Sequence, residues 1–290
     1  MSTSAITKEK LICNLMIVGA AKSGTTSLHH LLSRHPDINM SVPKETQYFV
    51  SADKYRKGPR FHNSFFQAGS YLYHGEASPH YFSSEVAIKK IKDDIGNLKI
   101  IIILRHPIDR AWSHYRYAVK KGLEKESFIN AVRSRGCKFD HDAGQITPYS
   151  LQSNYSHFVP LWINTFGKKN VYIIKYDDFI GDTDNCLKKS FEFLKVRNFE
   201  NSLPDIRLNR TSEIFEKQII PNFYKKLGEI LPQNIKDHQF YIYVRKRILK
   251  KSRSEHSVRE YLSKEETDYI YDLLLPDIRW YEDQLQHFAR

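Results

Sequence analysis

From Leu15 to Leu32 the chain reads Leu-Met-Ile-Val-Gly-Ala-Ala-Lys-Ser-Gly-Thr-Thr-Ser-Leu-His-His-Leu-Leu, and this succession of residue types fits few folds. The apolar run Leu15 to Val18 reads as a buried strand. A turn of small and hydroxyl residues follows, and then a helical stretch with Leu28, Leu31 and Leu32 on one face. A strand that feeds a glycine-containing turn and then a helix aims backbone N–H groups and the positive helix end at one spot, which makes an anion cradle. Gly19 and Gly24 have the spacing of a Walker A loop, but Thr25 follows Gly24 and the lysine, Lys22, lies inside the loop. A triphosphate held there would lack its point charge on the β- and γ-phosphates. The expected ligand is therefore shorter. A plain strand-turn-helix corner would not need a turn so dense in donors.

The strongest strand in the chain is Lys99 to Leu104, apolar almost throughout, as a central parallel strand covered on both faces requires. Around it the sequence predicts a short extended stretch at 38–50, a polar loop at 51–70, a strand end within 71–82 and a helix at 84–95. Beyond it come a helix at 108–121, an irregular stretch at 122–150, a helix at 151–166, a strand at 171–176, a helix at 186–194 and a last helix at 264–285. Strand-helix alternation of this kind predicts an α/β fold, a parallel sheet with helices on both faces. Ligands of such sheets sit at the carboxyl ends of the strands, where the loops after Val18, Leu104 and Tyr176 lie.

The central strand runs into Arg105-His106-Pro107, and Ser113 follows two helical turns further on. A strand serving a metal-bound triphosphate would end in aspartate to help hold magnesium. Arginine repels a metal and grips a phosphate directly through a bidentate fork. Together the two stretches describe a site for two anions with no metal carboxylate.

Ala21-Lys22-Ser23-Gly24-Thr25-Thr26 resembles the 5′-phosphosulfate loop of sulfotransferases that use 3′-phosphoadenosine 5′-phosphosulfate (PAPS). Arg105 and Ser113 resemble the 3′-phosphate-binding pair of that family in type and separation. The carbohydrate-acting and bacterial branch matches further, through His35-Pro36-Asp37, Glu45 ahead of Tyr48-Phe49, and Gly75-Glu76-Ala77-Ser78-Pro79-His80-Tyr81-Phe82.

The resemblance implies a three-layer P-loop-like fold, with one sulfotransferase domain over residues 14–290 behind a tail at 1–13. It implies PAPS as co-substrate, adenosine 3′,5′-bisphosphate (PAP) as product and no metal. Residues Ser23, Gly24, Thr25, Thr26 and Ser27 would hold the 5′-phosphate, Lys22 would neutralise charge on the leaving group, and Arg105 with Ser113 would take the 3′-phosphate. Glu45 would be the base, with Lys44, Glu76 and His80 at the acceptor. His80 is also the alternative base, on the pattern of the branch acting on small phenols and steroids, although that motif position falls on Pro79.

Two departures stand out. Ala77 replaces a lysine of the animal heparan-type enzymes, a gap that His80 or Lys44 would have to fill. Lys251-Ser252-Arg253-Ser254-Glu255-His256 resembles a late phosphate-binding loop with one extra residue, which makes Lys251 and Arg253 further candidates for the cofactor.

Charge is consistent with this and selects nothing by itself. The 290 residues carry a formal net charge of +12, which calls for acidic partners such as a nucleotide or an anionic glycan. Residues 200–260 are the basic, irregular part, expected to cover cofactor or acceptor. Cys13, Cys137 and Cys186 have no metal spacing and read as reduced thiols. No apolar run approaches the roughly 20 residues of a membrane span and the first ten residues are polar, so a cytoplasmic protein without an integral membrane segment is expected. Two rival functions are a P-loop kinase, against which the shifted lysine and the missing aspartate argue, and a nucleic-acid binder, which no recognition motif backs.

Overall fold

In the computed structural model, which describes residues 9–135, 148–199 and 262–284, the two apolar runs at 15–19 and 99–104 lie side by side in one sheet. In chain order the elements are β1 (Leu15–Gly19), α1 (Thr25–Leu32), β2 (Ile38–Met40), α2 (Ala52–Arg56), α3 (Gly58–Asn63), β3 (Tyr73–Glu76), α4 (Glu85–Asp94) and β4 (Lys99–Leu104). They continue as α5 (Pro107–Lys120), α6 (Phe128–Arg135), α7 (Tyr155–Phe166), β5 (Val171–Lys175), α8 (Tyr176–Gly181), α9 (Thr183–Leu194) and α10 (Lys264–Asp283). The strand order is β2-β3-β1-β4-β5, and every pairing is parallel.

Alternation along the strands divides the core into two layers. Met16, Val18, Ile100, Ile102 and Leu104 face Ile88 and Ile91 of α4 and Phe158 and Trp162 of α7. Leu15, Ile17, Ile101 and Ile103 face Leu28, Leu31 and Leu32 of α1 and Leu187, Phe191 and Leu194 of α9. Strands buried on both faces must be apolar at every position, which is why β1 and β4 stand out as unbroken apolar runs in the sequence. The α/β architecture expected from the sequence is the one found: a parallel sheet between two helical layers.

Local chemistry sets the boundaries. Ser84 caps α4 by accepting from the Ala87 N–H at 3.1 Å, and Asp182 caps α9 through Asn185 at 3.1 Å. Pro107 opens α5, where its missing N–H costs nothing. Asp277 of α10 accepts from the Ser156 N–H (2.9 Å) and hydroxyl (2.7 Å), fastening the last helix to the start of α7.

The structure corrects the expectation in three places. The polar loop at 51–70 contains α2 and α3, with Ser51 accepting from Lys54 N–H to start the first. The irregular stretch at 122–150 contains α6, whose Phe128, Ile129 and Val132 are buried at helical spacing. The stretch at 151–166 is a 3₁₀ turn (Leu151–Ser153) followed by α7. Residues 207–263 form a unit separate from 1–206 with 264–290. Nearly all of that unit, with Lys251, Arg253 and the basic stretch 200–260, lies outside the described residues, as does Cys137. No helix among the described residues is long and apolar enough to cross a membrane.

Candidate active site

The sheet is parallel throughout, so the loops after β1, β2, β3, β4 and β5 all meet its carboxyl edge. The loop after β1 is shaped by its own backbone. Gly19 sits at φ 154 with its α-carbon against Phe82, so close that a Cβ there would lie 2.5 Å from the Phe82 Cβ. Lys22 has φ 69 and Gly24 φ 93, the left-handed values that turn successive N–H groups inward. Ala20 N–H donates to the Ile103 carbonyl of β4 at 2.8 Å. Ala21 N–H donates to Gln152 Oε1 at 3.2 Å.

The cradle fits an oxyanion on three observations. The helix α1 has no side-chain cap and no acidic residue in its first turn, so the amides of Thr25, Thr26 and Ser27 have no carbonyl behind them. A Cβ on Gly24 would touch Tyr176 and Phe179 at 3.4 Å. The Ser23 hydroxyl is fully buried and has no partner, although buried hydroxyls are nearly always bonded. The Lys22 ammonium lies 4.3 Å from the centre of the Tyr117 ring.

Arg105 directly follows β4, 9 % exposed, with its guanidinium 4.9 Å from the centre of the Tyr176 ring. Tyr176 therefore lies beside both the arginine and Gly24 of the loop. Ser113 is half-buried on α5. Arg110, which the sequence reading passed over, is fully buried. It donates from Nε to Ser153 Oγ at 2.6 Å and from Nη2 to the Tyr149 carbonyl. Burial, then the nearby Arg105 charge, pull it down to about 10, with the adjacent Tyr155 opposing.

The loop after β2 carries Lys44 and Glu45. Lys44 Nζ is 2.9 Å from Glu45 Oε1 and donates to the Ala77 carbonyl at 3.1 Å. The ammonium of Lys44 thus stands at the very residue that lacks the family lysine. Two imidazoles feel both charges. Burial first, then Lys44, lower His29 to about 4, while Glu45 pulls the other way. His80 is lowered by burial, with Glu45 raising and Lys44 lowering it. His29 Nε2–H reaches the Ser41 carbonyl at 3.2 Å and so ties α1 to this loop.

Glu76 departs from its expected place at the acceptor. Its carboxylate is fully buried and accepts from Thr46 Oγ1, Ser78 Oγ at 2.9 Å, Tyr81 OH at 3.2 Å and His62 Nε2 at 3.1 Å. The motif side chains then serve the Glu45 loop as substitute ladder partners: Gln47 N–H donates to Ser78 Oγ (3.1 Å) and Phe49 N–H to Tyr81 OH (3.3 Å). Glu76 is thus buried behind the loop that carries Glu45 and holds it. Cys13, His62 and Glu76 bring possible metal-ligand atoms within 4.8 Å of one another. The carboxylate is already saturated by four donors, however, and burial, then Glu76, push the Cys13 thiol well up, away from the thiolate a metal needs.

Sequence reasoning did not single out the residues that hold these loops in place, namely Thr46, His62, Arg110 and Gln152. Arg110 lies within the quoted Arg105 stretch. Gln152 had no local signal.

The family model for the sulfotransferase domain matches residues 14–267. The bifunctional heparan sulfate N-deacetylase/N-sulfotransferase 1 of Xenopus laevis is 26% identical over 207 residues, covering 63% of this chain and 22% of that protein. The corresponding protein 2 of Homo sapiens is 35% identical over 215 residues, 67% of this chain and 23% of its own length. The chain thus spans under a quarter of each of these relatives. The crystal structure of a sulfotransferase from Alicyclobacillus acidocaldarius superposes with a TM-score of 0.57 at 27% identity, covering 75% of this chain and 90% of that one. An anion loop after β1, an arginine instead of an aspartate after β4, and a match over most of the sequence agree: the chain belongs to the sulfotransferase domain family.

Proposed function

We propose that this sulfotransferase moves the sulfuryl group of PAPS to a hydroxyl or amine of a carbohydrate or related polar acceptor, with Glu45 as base and Lys22 at the leaving phosphate. The observation that carries the donor assignment is the pairing of an uncapped, glycine-turned helix start containing an unpartnered Ser23 hydroxyl with Arg105 on the neighbouring strand. A nucleotide with phosphates at both 3′ and 5′ supplies two anions for those two sites. An arginine where a metal carboxylate would stand makes direct phosphate binding the natural chemistry.

In the reaction the acceptor oxygen or nitrogen forms a bond to sulfur as the bond from sulfur to the 5′-phosphate oxygen breaks, and PAP leaves. Glu45, with a carboxylate 37 % exposed, takes the acceptor proton. Lys22 meets the negative charge that gathers on the bridging oxygen, a contribution on the order of 10²- to 10³-fold for a donor of this kind. Residues Ser23 to Ser27 hold the 5′-phosphate, and Arg105 with Ser113 the 3′-phosphate. Lys44, bonded to the Ala77 carbonyl, takes over the electrostatic part of the missing lysine. A carbohydrate acceptor is supported by the heparan sulfate enzymes among the relatives.

The test is transfer of label from PAPS to a panel of glycans, including heparan chains with free amines, glycolipids and small alcohols. Transfer to glycans is expected. Transfer confined to small phenols or lipid alcohols would replace the acceptor class and favour the second reading, in which His80 is the base. Burial keeps that imidazole neutral, as a base must be, and it lies in the field of Glu45. No binding of PAP by calorimetry would overturn the donor.

A further inference from the structure

One short buried segment touches both anion-binding elements. Residues 149–155, from the 3₁₀ turn into α7, reach the β1 loop through Gln152, whose Oε1 accepts the Ala21 N–H at 3.2 Å. Its Nε2 donates to Ser83 Oγ at 2.7 Å. The backbone N–H at Ala21 fixes which end of the amide faces the loop, so the site needs an acceptor on one side and a donor on the other, which glutamine supplies. Three side chains tie the segment to the corner between β4 and α5, while Tyr149 OH also donates to Glu124 Oε2 at 2.9 Å and the Tyr155 ring packs on Phe82 and Tyr281. Tyr155 OH donates to the Arg105 carbonyl at 2.8 Å and Ser153 Oγ to the Pro107 carbonyl at 2.9 Å. Arg110 returns two bonds, to Ser153 Oγ and the Tyr149 carbonyl.

We infer that residues 149–155 act as a strap that sets the separation of the two anion sites, with Gln152 the positioning residue for the 5′ loop and Arg110 that for the Arg105 corner. Two features argue for a role beyond packing. Gln152, Ser153 and Arg110 are all fully buried, and a buried guanidinium held by neutral oxygens, with Nη1 unpartnered, is costly to keep. An apolar residue would fill the same space with less penalty. Positions held to a fraction of an ångström are what phosphate binding and in-line transfer need. The two halves of the strap also serve different ends of one ligand, which gives the inference a test that general damage to the fold cannot imitate.

The inference rests on the two-anion reading, and calorimetry on the full chain with three ligands separates the two. Adenosine 3′,5′-bisphosphate probes both sites, adenosine 5′-monophosphate the β1 loop and adenosine 3′-monophosphate the Arg105 corner. Gln152→Leu is expected to weaken the bisphosphate and the 5′-monophosphate about tenfold and to leave the 3′-monophosphate within about twofold. Ser153→Ala is expected to do the reverse. Ser83→Ala, which only frees the far end of the Gln152 amide, should shift the 5′ ligands about threefold in the same direction and covers the case in which Gln152→Leu does not fold. Equal losses on all three ligands, or none, would overturn the strap. If the unaltered protein binds none of the three, or Arg105→Ala leaves the bisphosphate affinity unchanged, the two-anion reading falls first.

Discussion

The loop after β1 takes its shape chiefly from its own backbone, through Gly19, Lys22 and Gly24 at positive φ, with Gln152 anchoring Ala21 from outside, whereas the loop after β2 is shaped mainly by side chains that reach it from elsewhere. Thr46, Gln47 and Phe49 are held by Glu76, Ser78 and Tyr81, and Glu76 in turn takes a bond from His62 of α3. The difference teaches where each part of the reaction is vulnerable. On the proposed reading, the donor site is built from a stretch contiguous in sequence, a strand neighbour and the Gln152 anchor. Placement of Glu45 depends on residues reaching its loop from two other segments, His62 of α3 and the stretch 76–81.

The sharpest way to break this comparison is to show that the two loops do the same job. Glu45→Gln is expected to lower transfer by 10²- to 10⁴-fold while PAP binds within twofold of the unaltered protein. Arg105→Ala is expected to weaken PAP by about 10- to 100-fold, through loss of charge-assisted bonds to phosphate. Full activity in the Glu45 variant would move the base, first to His80.

Next in size is the backbone loop itself. Alanine at Gly19 would place a Cβ 2.5 Å from the Phe82 Cβ at a φ that side chains rarely adopt. Because Phe82 is fixed by its N–H to the Val18 carbonyl at 3.0 Å and by Trp162 Nε1 to its own carbonyl at 3.0 Å, it has little room to withdraw. Gly19→Ala should cost about 2–3 kcal/mol of stability in urea unfolding. A loss under about 0.5 kcal/mol would mean that the loop is not defined by its backbone.

The same contrast explains what the sequence made legible. Backbone-coded features leave a local trace: the donor-dense turn, Arg105 at the end of an all-apolar strand, and the alternation that sorts β1 and β4 into two layers were all readable. The network around Glu76 left a motif but not its meaning, because burial decides whether a carboxylate grips a loop or a ligand, and burial is set by His62 and Tyr81 from separate segments. Gln152 left nothing at all. A glutamine in a 3₁₀ turn becomes a loop anchor only through a partner 131 positions away. The helices α2 and α6 were missed for the ordinary reason that short helices depend on a cap or on tertiary burial more than on pattern.

A smaller effect would sharpen the link between the two loops. His29 sits on α1 directly behind the anion cradle and bonds Ser41 of the Glu45 loop. Its folded value is about 4, lowered first by burial, against about 6.5 in the unfolded chain. Between those values the unfolded chain binds the proton and the folded one does not. His29 therefore leaves stability intact above about pH 6.5 and takes it away as pH falls toward 4. With allowance for its partial exposure the loss is on the order of 2 kcal/mol. His29→Gln, which keeps a donor for the Ser41 carbonyl, should flatten the decline of urea midpoints over that range. An unchanged slope would remove His29 as the coupling between the loops.

The smallest expected effect has opposite signs in the free and the bound protein. Ser23 Oγ is buried without a partner in the absence of a ligand, which costs the free protein on the order of 1 kcal/mol. Removing the hydroxyl in Ser23→Ala should therefore raise the stability of the free protein by up to about 1 kcal/mol, less a small term for the space left behind. The same change should weaken PAP by up to about tenfold, since the hydroxyl then has no phosphate oxygen to meet. Stability and affinity moving in opposite directions is the signature of a group placed for a ligand. If Ser23→Ala lowered both, the hydroxyl would belong to the packing of the loop, and the backbone would have to share the shaping of the loop with one of its own side chains.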